Sequence, residues 1–495
     1  MSTSRSSEAT FVQGIGPWAA ISLVVGSMIG SGIFIVSADI GRQVQSWGPG
    51  GLMLVWVLTG LMTLAGALSY AEMAAMMPKA GGQYVFLREG LTPGAGFLYG
   101  WTLFTVIQTG TIAAVAVAFA RFLGVLFPSI TPDVFLKLGS FKMAGGAIEL
   151  GVSNQRIVAV VMILALSLVN MRGVRLGAVI QTVFSFAKVG ALVALIALGL
   201  FVFRQPEVAR GNFETFWGAG NWSLAMLPVV GAAMVGSLFS SDAWNNVTFA
   251  AAEVRNPTKN LPLALASGTL LVSVLYILAN LAYLNVLPFG GSPEGVTAME
   301  RGLTHAAQDR VGTAAFEVML GSVGAIVMAL AILVSTFGCN NGLILAGPRV
   351  YYAMAKDQLF FDQAGRLHPT WRTPVFGLMA QAIWASALCL TGTYNELLNY
   401  VIFAALIFYL LTTVALFRMR RTHAHLDRPV KAFGYPVVPA LYILAIAFLL
   451  VVLLLDPVQR KFSALGLVIV ALGVPVYFLW RRTGTKGAAG ANEAS

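Results

Sequence analysis

From Ile15 to about Val36 the chain is apolar for long enough to cross a bilayer, yet the middle of that run is built to break. Residues 25–34 hold Gly26, Gly30 and Gly32 together with Ser27 and Ser31, where a stable span would carry Leu or Val. Glycine weakens a helix and lets other segments approach bare backbone. In a bilayer, unwound backbone survives only when it is buried in protein or lines a wet cavity, because each orphan N–H or C=O costs several kcal/mol. A small-residue packing face, Gly26-x-x-x-Gly30, explains the stretch slightly better when it is taken alone. The balance changes with a second interruption far downstream.

The rest of the chain is of the same kind. With 58% hydrophobic and 10% charged residues and a mean hydropathy of +0.80, 495 residues cannot form an ordinary soluble globule. Twelve spans are expected, at about 15–38, 50–77, 95–127, 155–171, 176–203, 224–252, 262–287, 316–355, 374–392, 395–417, 437–455 and 462–481. With a cytosolic N-terminus, nineteen Lys/Arg fall in inside segments and ten outside, while Arg121 and Lys188 stay in the membrane. That asymmetry places both termini in the cytosol and makes the net charge of +11 a topology signal, with no nucleic-acid partner implied. From the polar start of the chain no cleaved leader is expected. Cys339 and Cys389 lie in apolar runs, so no disulfide framework is expected. His305, His368, His423 and His425 lie in connecting segments, so no intramembrane metal or haem cofactor has ligands. The loop 128–154 reads as folded over, and the Gly/Ala-rich tail from Gly484 reads as disordered.

The second interruption is in span six. Ser240, Ser241, Asp242, Asn245 and Asn246 crowd seven positions at mid-depth, where polar groups are costly unless they face a cavity or a partner. Interrupted first and sixth spans are expected of transporters built from inverted five-helix repeats. Amides opening an outer half-helix near Ser31, Gly32 and Ile33 can hold a carboxylate. Carbonyls near Ser27, Met28, Phe239 and Ser240 can hold an ammonium. A groove offering both suits an amino acid.

These stretches resemble the amino acid–polyamine–organocation transporters, in particular the bacterial branch close to the L-amino-acid exchangers. The matching motifs are Gly26-x-x-Ile29-Gly30-Ser31-Gly32-Ile33-Phe34, Tyr70-Ala71-Glu72 through Pro78-x-Ala80-Gly81-Gly82-x-Tyr84, and Asp242-Ala243-Trp244-Asn245-Asn246 with the run from Glu253 to Pro262. Phe337-Gly338-x-Asn340-x-Gly342 with Arg349-x-x-Tyr352 completes the set. The resemblance implies an all-α polytopic membrane protein of LeuT-type fold: 5+5 inverted repeats with helices 1 and 6 broken, plus two helices. The expected order is a tail 1–14, a first repeat 15–203, an external loop 204–223, a second repeat 224–417, a cytosolic loop 418–436, helices 11 and 12 within 437–481, and a cytosolic tail 482–495. It places substrate on Ile29, Ser31, Gly32, Ile33, Phe239, Ser240, Asp242 and Asn245, with Phe239 as the outer gate.

Many members carry glycine where this chain has Ala243, and an acid at 242 is found in members that accept cationic side chains. Asp242 reads equally well as a cap on the inner half-helix. Lys188 lies about 20 Å along its span from Arg175, too deep for simple snorkelling. Its ammonium needs oxygen ligands, which backbone near Gly26 and Ser335 or Thr336 can supply. The resemblance makes it the substitute for a sodium ion and implies sodium-independent transport. A structural ion pair is expected for Glu72, and interface anchoring for Trp47, Trp56 and Trp480.

The expected function is amino-acid transport in the cytoplasmic membrane by alternating access, as exchange or proton symport. Polyamine or cationic amino-acid transport and a non-transporting sensor are the alternatives. No catalytic set is apparent, so an enzyme is not expected. The loop 128–154 lacks a cysteine, so no disulfide-linked heavy chain is expected, and the chain is expected to be a monomer in the lipid bilayer.

Overall fold

A computed structural model describes residues 11, 13–143, 146–391 and 394–492. The first span is split into α1 (Pro17–Met28) and α2 (Val36–Gln43), with a single 3₁₀ turn, Gly32–Phe34, between them. Then come α3 (Gly48–Met76), α4 (Gln83–Gly90), α5 (Pro93–Thr102) and α6 (Gln108–Leu126), the last two joined by a π-helical turn, Leu103–Ile107. Next are α7 (Asn154–Met171), α8 (Val174–Ala197) and the short α9 (Pro206–Glu214). The sixth span is split into α10 (Leu227–Ser240) and α11 (Asn246–Phe249). The chain continues with α12 (Pro257–Val286), α13 (Ala298–Arg301), α14 (Val311–Lys356), α15 (Val375–Cys389), α16 (Tyr394–Thr422), α17 (Val437–Leu455) and α18 (Arg460–Asn492).

Proline opens α1, α5, α9 and α12, where its missing N–H removes no helical bond. Thr92 caps α5 by accepting from the Ala95 amide at 3.1 Å. Among the described residues nine helices are long and apolar enough to cross a membrane. Three shorter apolar helices, Pro17–Met28, Leu224–Ser240 and Val375–Cys389, fall where spans one, six and nine are expected. The protein is a multi-pass membrane protein, and its surface agrees. Leu164, Leu168, Phe186, Leu441, Leu444 and Leu472 are exposed, whereas Asn340, Asn341, Thr336 and Lys188 are buried. Apolar groups face outward and polar groups bridge helices, which inverts the soluble pattern.

Several expectations change. The loop 128–154 contains two antiparallel strands, β1 (Leu136–Met143) and β2 (Gly146–Val152). The long helix α14 is interrupted by a kink at Gly321 (φ 66°, ψ −154°), within the stretch read as one continuous span. The tail read as disordered continues α18 as far as Asn492, since alanine favours helix. Trp56 is not an interface anchor: it is 1% exposed and packs edge-on against Tyr276 at 5.4 Å.

The hairpin marks one face of the bundle, and the chain's first and last described residues lie on the other. On that termini face Glu72 is fully buried and ion-paired with Arg420 at 2.5 Å and Arg428 at 3.2 Å. It also accepts from the Ala432 amide at 2.8 Å, which fastens the loop 418–436 to the end of α3.

Candidate functional site

The two interrupted spans meet at their breaks. A Cβ on Gly32 would lie 2.0 Å from Ser240 Oγ and 2.9 Å from Ser240 Cα, so only glycine permits this approach. The Tyr276 hydroxyl of α12 stands 3.0 Å from the Met28 carbonyl oxygen, which ends α1, and 3.0 Å from that of Ser240, which ends α10. One proton is thereby shared between the two C-terminal ends, where carbonyls lack helical partners. Ser31 precedes the 3₁₀ turn, and Gly32 and Ile33 open it, so the Gly32 and Ile33 amides stand at a helix start, where N–H groups lack an intrahelical acceptor. Ile29, Ser31, Ile33 and Ser240 are buried at 3% exposure or less, Gly32 is buried with them, and Phe239, the penultimate residue of α10, is 6% exposed.

Carbonyls at the end of α1, expected to hold an ammonium, already have protein donors. Lys188 Nζ donates to the Gly26 oxygen at 2.6 Å and the Ile29 oxygen at 2.8 Å. Ser335 Oγ lies 3.3 Å from the Ile29 oxygen and 3.2 Å from that of Gly30, and Cys339 Sγ lies 3.1 Å from that of Ser27. Each carbonyl keeps a second lone pair, but the first is used. Ser335 therefore binds the same unwound backbone as Lys188, while Thr336 Oγ1 donates back to Ile332 in its own helix. A Cβ at Gly26 would collide with Gln181 and Ser185, so this glycine admits α8 and its lysine to the break.

Asp242 is placed otherwise than expected in one respect. Asn245 precedes α11 and no side chain caps that helix, so Asp242 is not an N-cap. Its Oδ1 accepts instead from the Tyr409 hydroxyl of α16. Asn245 Nδ2 donates to Gln83 Oε1 at 2.6 Å, and Gln83 Nε2 donates to Thr412 at 3.0 Å. Ala243 adopts φ 63°, a left-handed conformation that costs a non-glycine residue about 1–2 kcal/mol.

Toward the hairpin face a cavity of about 550 Å³ lies between α2 and α10, bordered by Val36, Asp39, Gly236, Asp309, Asp456 and Phe462, and none of residues 29–33 or 239–246 lines it. Toward the termini face the two broken spans are laced together. The Ile15 amide donates to the Glu253 oxygen and the Arg255 amide to the Ile15 oxygen, both at 2.9 Å. Arg349 pairs with Glu253 at 2.8 Å with both side chains buried, and Phe11 packs edge-on against Tyr352. Sequence reasoning missed Tyr276, Tyr409 and Gln83. Tyr276 and Tyr409 lie in ordinary-looking stretches and Gln83 is an unnamed position within the Pro78–Tyr84 motif, and each acquires its contacts only through packing.

Residues 15–476 match the amino acid permease family. The chain is 30% identical to the serine/threonine exchanger SteT of Bacillus subtilis (strain 168), over 94% of this chain and 96% of that one. It is 29% identical to the mouse (Mus musculus) b(0,+)-type amino acid transporter 1, over 94% and 87%. It is 30% identical to the Homo sapiens large neutral amino acids transporter small subunit 2, over 94% and 80%.

Proposed function

The chain belongs to the amino acid permease family, within the amino acid–polyamine–organocation superfamily, and from that premise we propose that it exchanges amino acids across the cytoplasmic membrane without sodium, by alternating access. In this reading spans 15–203 and 224–417 form two inverted five-helix repeats, and the helices within 437–481 flank them. The termini face is cytosolic, because the segments assigned to it carry the excess of Lys and Arg.

The observation that carries the reading is the pair of adjacent breaks, joined through Gly32, Ser240 and the Tyr276 hydroxyl, with the two broken spans laced together on the termini face. Substrate enters from the hairpin face. Its carboxylate meets the amides of Ser31, Gly32 and Ile33, and its ammonium takes remaining carbonyl lone pairs near Phe239 and Ser240. The Phe239 ring then closes over it, and Asn245 borders the side chain. Release requires the Ile15–Glu253 lacing and the Arg349–Glu253 pair to part, so that α1 can swing inward. Lys188 takes the place of a coupling cation, holding unwound carbonyls together with a covalently tethered ammonium. The relatives' names run from serine and threonine to large neutral amino acids, so kinship leaves the substrate's side chain open.

Counterflow in proteoliposomes tests the reading. Preloading with unlabelled amino acid should accelerate uptake of the labelled one, and an imposed pH gradient should change it little. Uptake that needs no preload but follows the pH gradient would make the protein a proton symporter. Binding without any movement would make it a sensor.

A further inference from the structure

The loop 418–436 takes in the last turn of α16 and runs to α17, so both of its ends are fixed at the edge of a membrane span. It carries five basic residues, Arg418, Arg420, Arg421, Arg428 and Lys431, against one acid, Asp427. Positive charge beside a span sets topology wherever it falls and needs no particular structure to do so. This loop has one.

Its frame is the buried Glu72 carboxylate, which pairs with Arg420 and Arg428. Arg428 also donates to the carbonyl oxygens of Met419, His423, Ala424 and Leu426 at 2.8–3.2 Å, and the Arg420 guanidinium lies 3.6 Å from the centre of the Tyr435 ring. Arg418 donates to the Leu91 oxygen at 3.0 Å. Two cations are left over. Arg421 and Lys431 are exposed and have no hydrogen-bond or ion-pair partner among the described residues. Apolar side chains stand out from the same braced loop: Phe433 is 68% exposed and Leu426 is 40% exposed. Phe433 precedes Val437, Leu441 and Leu444, which are exposed at the spacing i, i+4, i+7 and form a stripe that α17 turns to the bilayer. The loop therefore lies along the membrane surface, presenting cations and apolar groups together. That combination suits the headgroup level, where apolar side chains reach the acyl boundary and Lys and Arg reach phosphates.

The partner that fits is anionic and amphiphilic. A zwitterionic headgroup brings its own cation and gains little from Arg421 and Lys431. A free phosphate meets the charges but leaves Phe433 and Leu426 uncovered. A soluble acidic protein would approach from the side away from the acyl chains that flank α17. We propose that the braced loop 418–436 docks anionic phospholipid headgroups, with Arg421 and Lys431 reaching their phosphates and Phe433 their acyl chains. Glu72 belongs to the end of α3 and Arg420 to the end of α16, so the docked lipid steadies the junction of those two spans. The site is separate from the helix breaks and does not rest on the transport reading.

Thermal unfolding of the full-length protein in non-ionic detergent, titrated with phosphatidylglycerol, phosphatidylcholine or glycerol phosphate, reads the docking without transport. Phosphatidylglycerol should raise the midpoint saturably, and the other two should not. Two cations near an anionic surface together account for about tenfold or more in binding, so Arg421→Gln with Lys431→Gln should need about tenfold more phosphatidylglycerol for the same rise. Lys79→Gln with Lys259→Gln removes as many exposed cations from the termini face and should titrate as wild type does. An equal rise with phosphatidylcholine would make the effect solvation by any lipid, and a rise with glycerol phosphate would make the site one for small anions; either result overturns the inference. So does an equal shift in the two double variants, which would mean diffuse attraction with no built surface. A flat response to all three additives would assign the loop to a soluble acidic partner and overturn it as well. The comparison of additives on wild-type protein stands even if a variant fails to fold.

Discussion

Lys188 and Asn246 are polar groups sunk equally deep in the body of the protein, 0% and 2% exposed, yet their surroundings are opposite. Lys188 is finished. Its ammonium sits on two carbonyls at 2.6 and 2.8 Å, and Ser335 and Cys339 occupy carbonyls beside them. Asn246 is unfinished, with an unmatched donor beside a void. The first broken span is thus tied to α8 and α14 through Lys188, Ser335 and Cys339, while the second carries an amide donor with no partner among the described residues.

The contrast can be broken by substitution. Changes at the finished site should cost transport most, whereas changes beside the unfinished one should cost least. Lys188→Met, which strips two charge-assisted hydrogen bonds of about 1.5–3 kcal/mol each, should reduce initial amino-acid counterflow by about 100-fold or more. Gly32→Ala drives a methyl into Ser240, an overpacking of about 1–3 kcal/mol, and should slow all substrates about tenfold. Asp242→Asn keeps an acceptor for Tyr409 but loses the charge, worth about 1 kcal/mol in a hydrogen bond, so counterflow should fall about fivefold. Initial rates of counterflow would reveal whether this ranking holds. Smallest of all, Ala243→Gly relieves a left-handed alanine and should raise the thermal stability of detergent-solubilised protein by about 1 kcal/mol or less. A fall in stability there would show that the methyl packs usefully.

Much of the finished site is legible in the sequence, because its signals are local. Three glycines and two serines inside an apolar run announce unwound backbone, and a lysine mid-span demands oxygens that only such backbone supplies. The second interruption is legible for the same reason. What is not legible depends on distant packing. Tyr276 looks like any residue of an apolar span until α12 brings its hydroxyl to the ends of both α1 and α10. Asp242 before Asn246 fits an N-cap pattern, but Tyr409, 167 residues away, takes the carboxylate instead. Trp56 has the position of an interface anchor and is drawn inward by Tyr276. The strand pair in the loop 128–154 was concealed by its weak alternation and by prolines that read as loop. Gly321 gave no warning, since a glycine in a membrane helix is common and only the backbone geometry shows that this one ends the regular ladder.

At the centre of the mechanism stands the claim that a tethered ammonium does the work of a coupling ion. Initial rates of amino-acid counterflow, measured with sodium on both sides of the membrane and again with choline in its place, test this most directly. Equal rates in the two media are the expected result. Uptake that vanishes in choline and returns with added sodium would contradict it, because a metal ion would then be required where Lys188 is held to suffice.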